Sequence, residues 1–325
     1  MVSKGISMKL LVAIPCFNEE KTISKVIGDV PKKIQGISEI NILVMDDGSE
    51  DASAMVAKEC KAEVHSFPKN RGLGWVFTKS VSVALSKKVD ILVTIDGDGQ
   101  FKAKDISKLI KPIIAKEADF VTCSRFIDKD LTPNMSVIKL WGNRFMSKFI
   151  SMLIKRKFYD VSCGFRAYSR EALLNVNLFG KFTYTQEAFL DLAYKGIRIK
   201  EIPLKVRAKR QFGRSKISDN LLAYGYKTLK IIFRTLRDYK PLKFFGSLGL
   251  IIFMIGFVFD FFLLYHYVFT HSLSPYKSLG FIGGFLNAIG LVILVLALVA
   301  DMLERIRLNQ EKILYLQKKR EYEID

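Results

Sequence analysis

Two carboxylates one residue apart, Asp96 and Asp98, directly follow an apolar, β-branched run from Ile91 to Ile95. Such a run reads as a buried strand. Where extended geometry persists to 98, side chains at i and i+2 share a face. Both carboxylates then offer oxygen to one hard cation at the end of the strand. Mg2+ and Mn2+ take such ligands and commonly share them with substrate phosphates. Gly97 and Gly99 let a ligand approach the backbone closely. The same spacing also occurs in solvated turns, so the elements around it decide the reading.

Those elements alternate. Lys9 to Ile14 reads as a first strand, ended by Pro15, with Asn18 the expected N-cap of a helix carrying Ile23, Val26, Ile27 and Val30. Ile40 to Met45 is a second strand, ending at Asp46-Asp47-Gly48-Ser49-Glu50-Asp51. Ala62 to Phe67 is a short third, followed by Asn70-Arg71-Gly72 and another helix. Phe120 to Ser124 follows a helical stripe through Ile106, Leu109, Ile110 and Ile113. Strand alternating with helix implies an α/β fold, a mostly parallel sheet with helices on both faces. Ligands in such sheets sit beyond the carboxyl ends of the strands. Three of those ends carry polar clusters: Asn18-Glu19, Asp46-Asp47 and Asp96-Gly97-Asp98. Their agreement on one edge favours a nucleotide site. No G-x-x-x-x-G-K-[ST] is present and no G-x-G-x-x-G follows strand one, so P-loop and dinucleotide readings lose their support.

The set Pro15-x-Phe17-Asn18-Glu19, Asp46-Asp47-Gly48-Ser49-x-Asp51, Asn70-Arg71-Gly72 and Asp96-Gly97-Asp98-x-Gln100 resembles the GT-A fold glycosyltransferases of family 2. The resemblance implies a nucleotide-sugar donor, UDP- or GDP-linked. Pro15, Phe17, Asn18 and Glu19 would contact its base and ribose, and Asp47 would hold the base beside the backbone of Met45. Asp96 and Asp98, with Gly97 between them and Gln100 helping, would carry Mg2+ or Mn2+ on the diphosphate.

Beyond Ser124-Arg125, a helical pattern runs from Val137 to Ile154 with Lys139 near its start. Asp160-Val161-Ser162-Cys163-Gly164-Phe165-Arg166 and Arg210-x-x-Gly213-x-Ser215-Lys216 are similar to segments of polyprenyl-phosphate hexose synthases, the dolichyl-phosphate mannose synthases among them. The resemblance extends over residues 8 to 220. It implies a polyprenyl phosphate acceptor, dolichyl or undecaprenyl, whose dianion would be met by Arg125, Lys139, Arg210, Ser215 and Lys216. Arg125 and Arg210, with Asp98, are the expected catalytic residues. Arg166 is also placed to pair with Asp160 as a purely structural contact. The Q-x-x-R-W signature of processive synthases is missing, since Arg214 is followed by Ser215.

Lys plus Arg number 51 against 32 Asp plus Glu, a formal charge of +19, and there are 25 Phe. The charge suits an anionic partner. Four cysteines without a C-x-x-C argue against a zinc knuckle and fit a reduced cytoplasm. The apolar residues select among partners. Phe244–Phe269 and Leu279–Ala300 are each long enough to cross a bilayer, which needs about 20 apolar residues. The loop between them is short, so they form a two-helix transmembrane hairpin. Cations crowd before the first span and after the second, which puts the catalytic domain and both termini in the cytoplasm, on the cell membrane. Residues 217–243 mix leucines with cations and read as amphipathic helices lying on an anionic bilayer surface. No nucleic-acid motif appears.

The expected organisation is a tail at 1–8, a GT-A catalytic domain at 9–216, interface helices at 217–243, the spans within 244–302 and a basic cytoplasmic tail at 303–325. Asp260 falls inside the first span, where carboxylates are costly. Glycines at 246, 249, 256, 280, 283, 284 and 290 permit close helix packing, within the hairpin or between chains as a homo-oligomer. The expected activity is inverting hexose transfer from nucleotide sugar to polyprenyl phosphate. The rival readings are transfer to another acceptor, such as diacylglycerol or a glycan, and a non-enzymatic nucleotide-sugar sensor or scaffold.

Overall fold

Leu10 to Ile14 are all buried, as a strand covered on both faces requires. They form the centre of β1 (Met8–Cys16). Alternation then divides the strand. Leu10, Val12 and Ile14 join one core with Ile23 and Ile27 of α1 (Ile23–Gly28) and with Leu109 and Ile110 of α4 (Ile106–Ile114). The opposite face packs against α3 (Leu73–Ser86), which buries Val76, Phe77, Val81 and Ala84. Between these helices lie β2 (Ile37–Asp46), α2 (Ser53–Glu59), β3 (Glu63–Ser66) and β4 (Ile91–Thr94).

The computed structural model describes residues 7–178, 184–207, 230, 233–234 and 237–323. The expected acceptor residues Arg210, Ser215 and Lys216 lie outside them, as does most of the expected interface segment 217–243. Among the described residues a seven-stranded sheet runs in the order β3-β2-β1-β4-β6-β5-β7. β1, β2, β3 and β4 are parallel. β5 (Phe120–Ser124) and β7 (Ile199–Pro203) are parallel to each other. β6 (Arg166–Ser169) runs antiparallel between β4 and β5. The sheet is therefore mixed, and β6 and β7 are the strands that periodicity does not reveal. β6 has only four residues and opens on an arginine, so it carries no apolar run.

Two expected boundaries shift for physical reasons. Pro15 does not end β1, which continues to Cys16. Ile95 N–H donates to Ala13 O at 3.1 Å, so Ala13 and Pro15 face β4, and β4 has already ended opposite Pro15. No ladder bond is lost by the missing N–H. Asn18 does not cap α1. The helix starts farther along the chain, preceded by Thr22, and Asn18 takes a left-handed φ of 55°.

The chain divides into two compact units, Met1–Lys216 with Tyr315–Asp325, and Ile217–Leu314. In the first, α5 (Val137–Ile154), α6 (Arg170–Asn175) and α7 (Tyr184–Tyr194) complete the fold. The second holds α8 (Pro241–Thr270) and most of α9 (Lys277–Glu323). The expected basic tail is thus the end of one continuous helix, α9. Its last turns, from Tyr315 on, belong to the first unit. Lys318 Nζ donates to Val176 O at 2.9 Å and to Asn177 Oδ1 at 2.8 Å, and Arg170 Nη2 donates to Tyr322 O at 3.0 Å. Burial, and then neighbouring Lys195, lower the Lys318 ammonium to about 8.

Both α8 and α9 are long and apolar enough to cross a membrane. Their contact is glycine-lined. A β-carbon at Gly256 would lie 2.5 Å from Asn287 Oδ1 and 2.7 Å from Gly283 O, and one at Gly290 would lie 2.7 Å from Phe253 N. Asp260 turns into this contact, where Asn287 Nδ2 donates to its Oδ2 at 2.6 Å. Arg305 reaches Asp301 at 3.1 Å, the expected i,i+4 pair. Gly256→Leu should force α8 and α9 apart and break the Asp260–Asn287 bond. We expect a fall of several degrees in the melting temperature in detergent, read by the helical circular dichroism signal. Gly246→Leu, at a position with nothing within 4 Å of an added β-carbon, should leave it unchanged.

Candidate active site

The carboxyl ends of β1, β2 and β4 converge because the strands are in register, Pro15 opposite Met45, Cys16 opposite Asp46 and Ala13 opposite Thr94. The loops beyond them are joined by hydrogen bonds. Asn18 N–H donates to Ser49 Oγ at 3.0 Å, Glu50 N–H to Asn18 Oδ1 at 2.9 Å and Glu19 N–H to Ser53 Oγ at 2.7 Å. The left-handed Asn18 is thus a loop fastener, a role its short amide side chain suits.

Asp47 holds a second loop. Its N–H donates to Cys16 O at 2.8 Å, while its buried carboxylate accepts from Arg71 N–H at 2.8 Å and Gly72 N–H at 2.9 Å. The loops press together here, for a β-carbon on Gly48 (φ +75°) would lie 2.7 Å from the Lys69 carbonyl carbon. Met45 is wholly buried and Phe17 half-buried. Cys16 is a packing residue, since burial pushes its thiol up to about 12.

The carboxylate pair lies on the same edge. Thr22 Oγ1 donates to Gly97 O at 2.7 Å, tying the loop after β4 to the start of α1. Asp98 is 4% exposed, and its Oδ1 accepts from Gln100 N–H at 3.0 Å. Gln100 in turn donates from Nε2 to Arg207 O at 3.2 Å. Asp96 is half-buried against Gly164, where a β-carbon would come within 3.0 Å of Asp96 Oδ2. Tyr184, buried at the start of α7, feels this carboxylate. Burial, and then the Asp96 charge, raise its hydroxyl above the ordinary tyrosine range. The donors fit a small hard cation: two carboxylates, the Gln100 carbonyl oxygen and a glycine floor, with no His or Cys required. Among the described residues no three His, Cys, Asp or Glu are grouped so that they could hold a metal ion between them, so phosphate and water oxygens would complete any such site.

Arg125 directly follows β5. Its Nε donates to Asp160 Oδ2 at 2.6 Å and its Nη2 to Asp160 Oδ1 at 2.9 Å and to Ser162 Oγ at 3.2 Å. Burial opposes the guanidinium charge, but Asp160 outweighs it and holds the group firmly protonated. Ser162 Oγ donates to Asn143 Oδ1 on α5 at 2.7 Å. Glu201 on β7 accepts from the Tyr159 and Asp160 amides at 2.9 and 2.8 Å, and burial lifts its carboxyl above the usual range. Arg166 does not pair with Asp160, contrary to one sequence reading. It is fully buried and donates to three carbonyls, Cys163 O, Thr185 O and Val161 O, at 2.7, 2.6 and 2.8 Å. Lys139 is half-buried in the first turn of α5. Ser162 lies in the 160–166 segment singled out above, whereas Asn143 and Glu201 carry no sequence signal of their own, because each acts through a fold contact distant in the chain.

Residues 11–176 match the model of glycosyl transferase family 2. The chain belongs to that family. Its fold is GT-A-like, and as a family 2 member it is a glycosyltransferase. It is 31% identical over 217 residues to the UDP-N-acetylglucosamine–dolichyl-phosphate N-acetylglucosaminyltransferase of Methanococcus voltae, covering 60% of this chain and 84% of that protein. It is 26% identical over 222 residues to the polyprenol monophosphomannose synthase of Mycolicibacterium smegmatis, covering 65% and 82%. The structure of glucosyl-3-phosphoglycerate synthase from Mycobacterium tuberculosis, in complex with Mn2+ and UDP-glucose, superposes with a TM-score of 0.54 at 19% identity, covering 70% of this chain and 78% of that one.

Proposed function

We propose that this family 2 glycosyltransferase is membrane-bound and moves a hexose from UDP- or GDP-sugar to a polyprenyl phosphate, inverting the anomeric centre. The observation that carries the reading is the joining, in one chain, of a carboxylate-lined strand edge with two apolar helices long enough to cross a bilayer. One relative named for transfer to dolichyl phosphate and another named a polyprenol monophosphomannose synthase support the acceptor. The positive-inside pattern supports a catalytic domain on the cytoplasmic face.

In this reading Pro15, Phe17, Asn18 and Glu19 line the base and ribose, and Asp47 fixes the loop that closes over them. Asp96, Asp98 and Gln100 would hold Mg2+ or Mn2+, and such an ion would supply positive charge against the leaving diphosphate. Arg125 stays charged because Asp160 stays beside it. Its bonds to Asp160 and Ser162 use Nε and Nη2, so Nη1 is the edge for an acceptor phosphate oxygen. Lys139, Arg210, Ser215 and Lys216 add to that anion site. The acceptor phosphate is already anionic near neutral pH, its second pKa being about 6, so no strong general base is needed. None of the three histidines is required.

The test is transfer by the purified full chain. Radiolabelled UDP- and GDP-sugars are offered against dolichyl phosphate, undecaprenyl phosphate and diacylglycerol. Label should enter a polyprenyl phosphate product. Label in diacylglycerol alone, or in no lipid across the panel, overturns the acceptor.

A further inference from the structure

We infer that the outer face of α5 is a membrane-docking surface of the catalytic unit, separate from the apolar hairpin. The helix is two-sided. Gly142, Met146, Ser147, Ile150 and Leu153 are buried, and Asn143 on the inner side holds Ser162 beside Arg125. The other side carries Val137, Ile138, Trp141, Phe145 and Met152, spaced as one stripe and all exposed, Val137 by 80% and Trp141 by 67%. Trp141 and Phe145 stack at 5.3 Å without burying each other. A contiguous exposed patch of this kind marks an interaction surface.

The charges select the occupant. From Val137 to Lys157 there is no Asp or Glu, whereas Lys139, Arg144, Lys148, Lys155, Arg156 and Lys157 are all cationic. Arg144, Lys148 and Lys155–Lys157 are exposed. A protein partner would need an acidic face to match them. An anionic bilayer surface supplies that charge together with an apolar layer beneath it, where Trp sits readily. The inference rests on the chain being a membrane protein. It adds that α5 touches lipid with one face while its other face braces the Arg125 site, which brings a lipid-borne phosphate to that site.

The chain has two tryptophans, so Trp75→Phe leaves Trp141 as the sole reporter. This full-length variant is placed in nanodiscs of phosphatidylglycerol, with or without brominated acyl chains. We expect the brominated lipid to remove more than about half of the emission, as for a ring at the headgroup–acyl boundary. Iodide in the water should quench little. Arg144→Glu with Lys148→Glu in the same background should weaken the bromine quenching in anionic discs. If that background folds poorly, the wild-type chain gives the same readout as quenching of one of two emission components. Emission untouched by bromine and quenched by iodide overturns the inference, for the face is then in water. Protection from both quenchers also overturns it, because protein, such as a second copy, then covers the face. Failure to enter nanodiscs at all counts against the membrane reading itself and is distinguishable from either result.

Discussion

Asp98→Ala should reduce the rate of sugar transfer by about a thousandfold, the scale on which a preorganised charge-stabilising group acts. The residue is 4% exposed, and its Oδ1 fixes the turn through Gln100 N–H, so alanine removes both a charge and a local restraint. Asp98→Asn separates the two. Its amide oxygen accepts the same N–H, and the fold is retained, but half of the pair's negative charge is gone. We expect the Asp98→Asn protein to melt like wild type and still lose most of its rate with saturating donor. Isothermal titration should show that added Mn2+ tightens UDP binding to the wild-type chain and not to the variant. Normal turnover by the asparagine variant would remove the need for a carboxylate there, and with it the cation reading of Asp96 and Asp98.

The sequence displayed the parts of the site that chain-local chemistry dictates. β1, β2 and β4 are apolar, β-branched runs stopped by carboxylates, and parallel registration brings their ends together without further instruction. The positions of Asp47, Asp96 and Asp98 were legible for that reason. Asn18 was misread because an Asn before a helix has two good uses. The left-handed fastener won here, since Ser49 and Glu50 lie opposite to receive it. β6 stayed hidden because four residues opening on Arg166 look polar in isolation. That arginine is tolerated in the core only because three carbonyls surround it, two from the segment just before it, Val161 and Cys163, and one from Thr185 at the start of α7. The last turns of α9 read as a solvated basic tail, since nothing local reveals that Val176 and Asn177 will accept from Lys318. Long-range polar partners are what one-dimensional patterns omit.

Asp160→Leu is expected to destabilise the chain by about 3–5 kcal/mol, the cost of leaving one member of a buried ion pair alone. The Asp160 side chain is fully buried while that of Arg125 keeps 17% exposure, and the pairing is a two-bond fork at 2.6 and 2.9 Å. Arg125→Met combined with Asp160→Leu removes both charges, so urea denaturation should return most of the lost stability, with a large coupling energy in the cycle. Kinetics then separate scaffold from chemistry. If Arg125 meets the acceptor phosphate, the double variant is stable yet transfers poorly. Arg125→Lys keeps the charge but loses the fork. It should raise the KM for polyprenyl phosphate while the donor KM stays put, because Asp47 and the loops at Asn18 and Arg71 are untouched. A stable double variant with wild-type acceptor kinetics would show that the pair only braces β5 against the segment before β6. The anion site would then have to be built from Lys139 and the cations that follow residue 207.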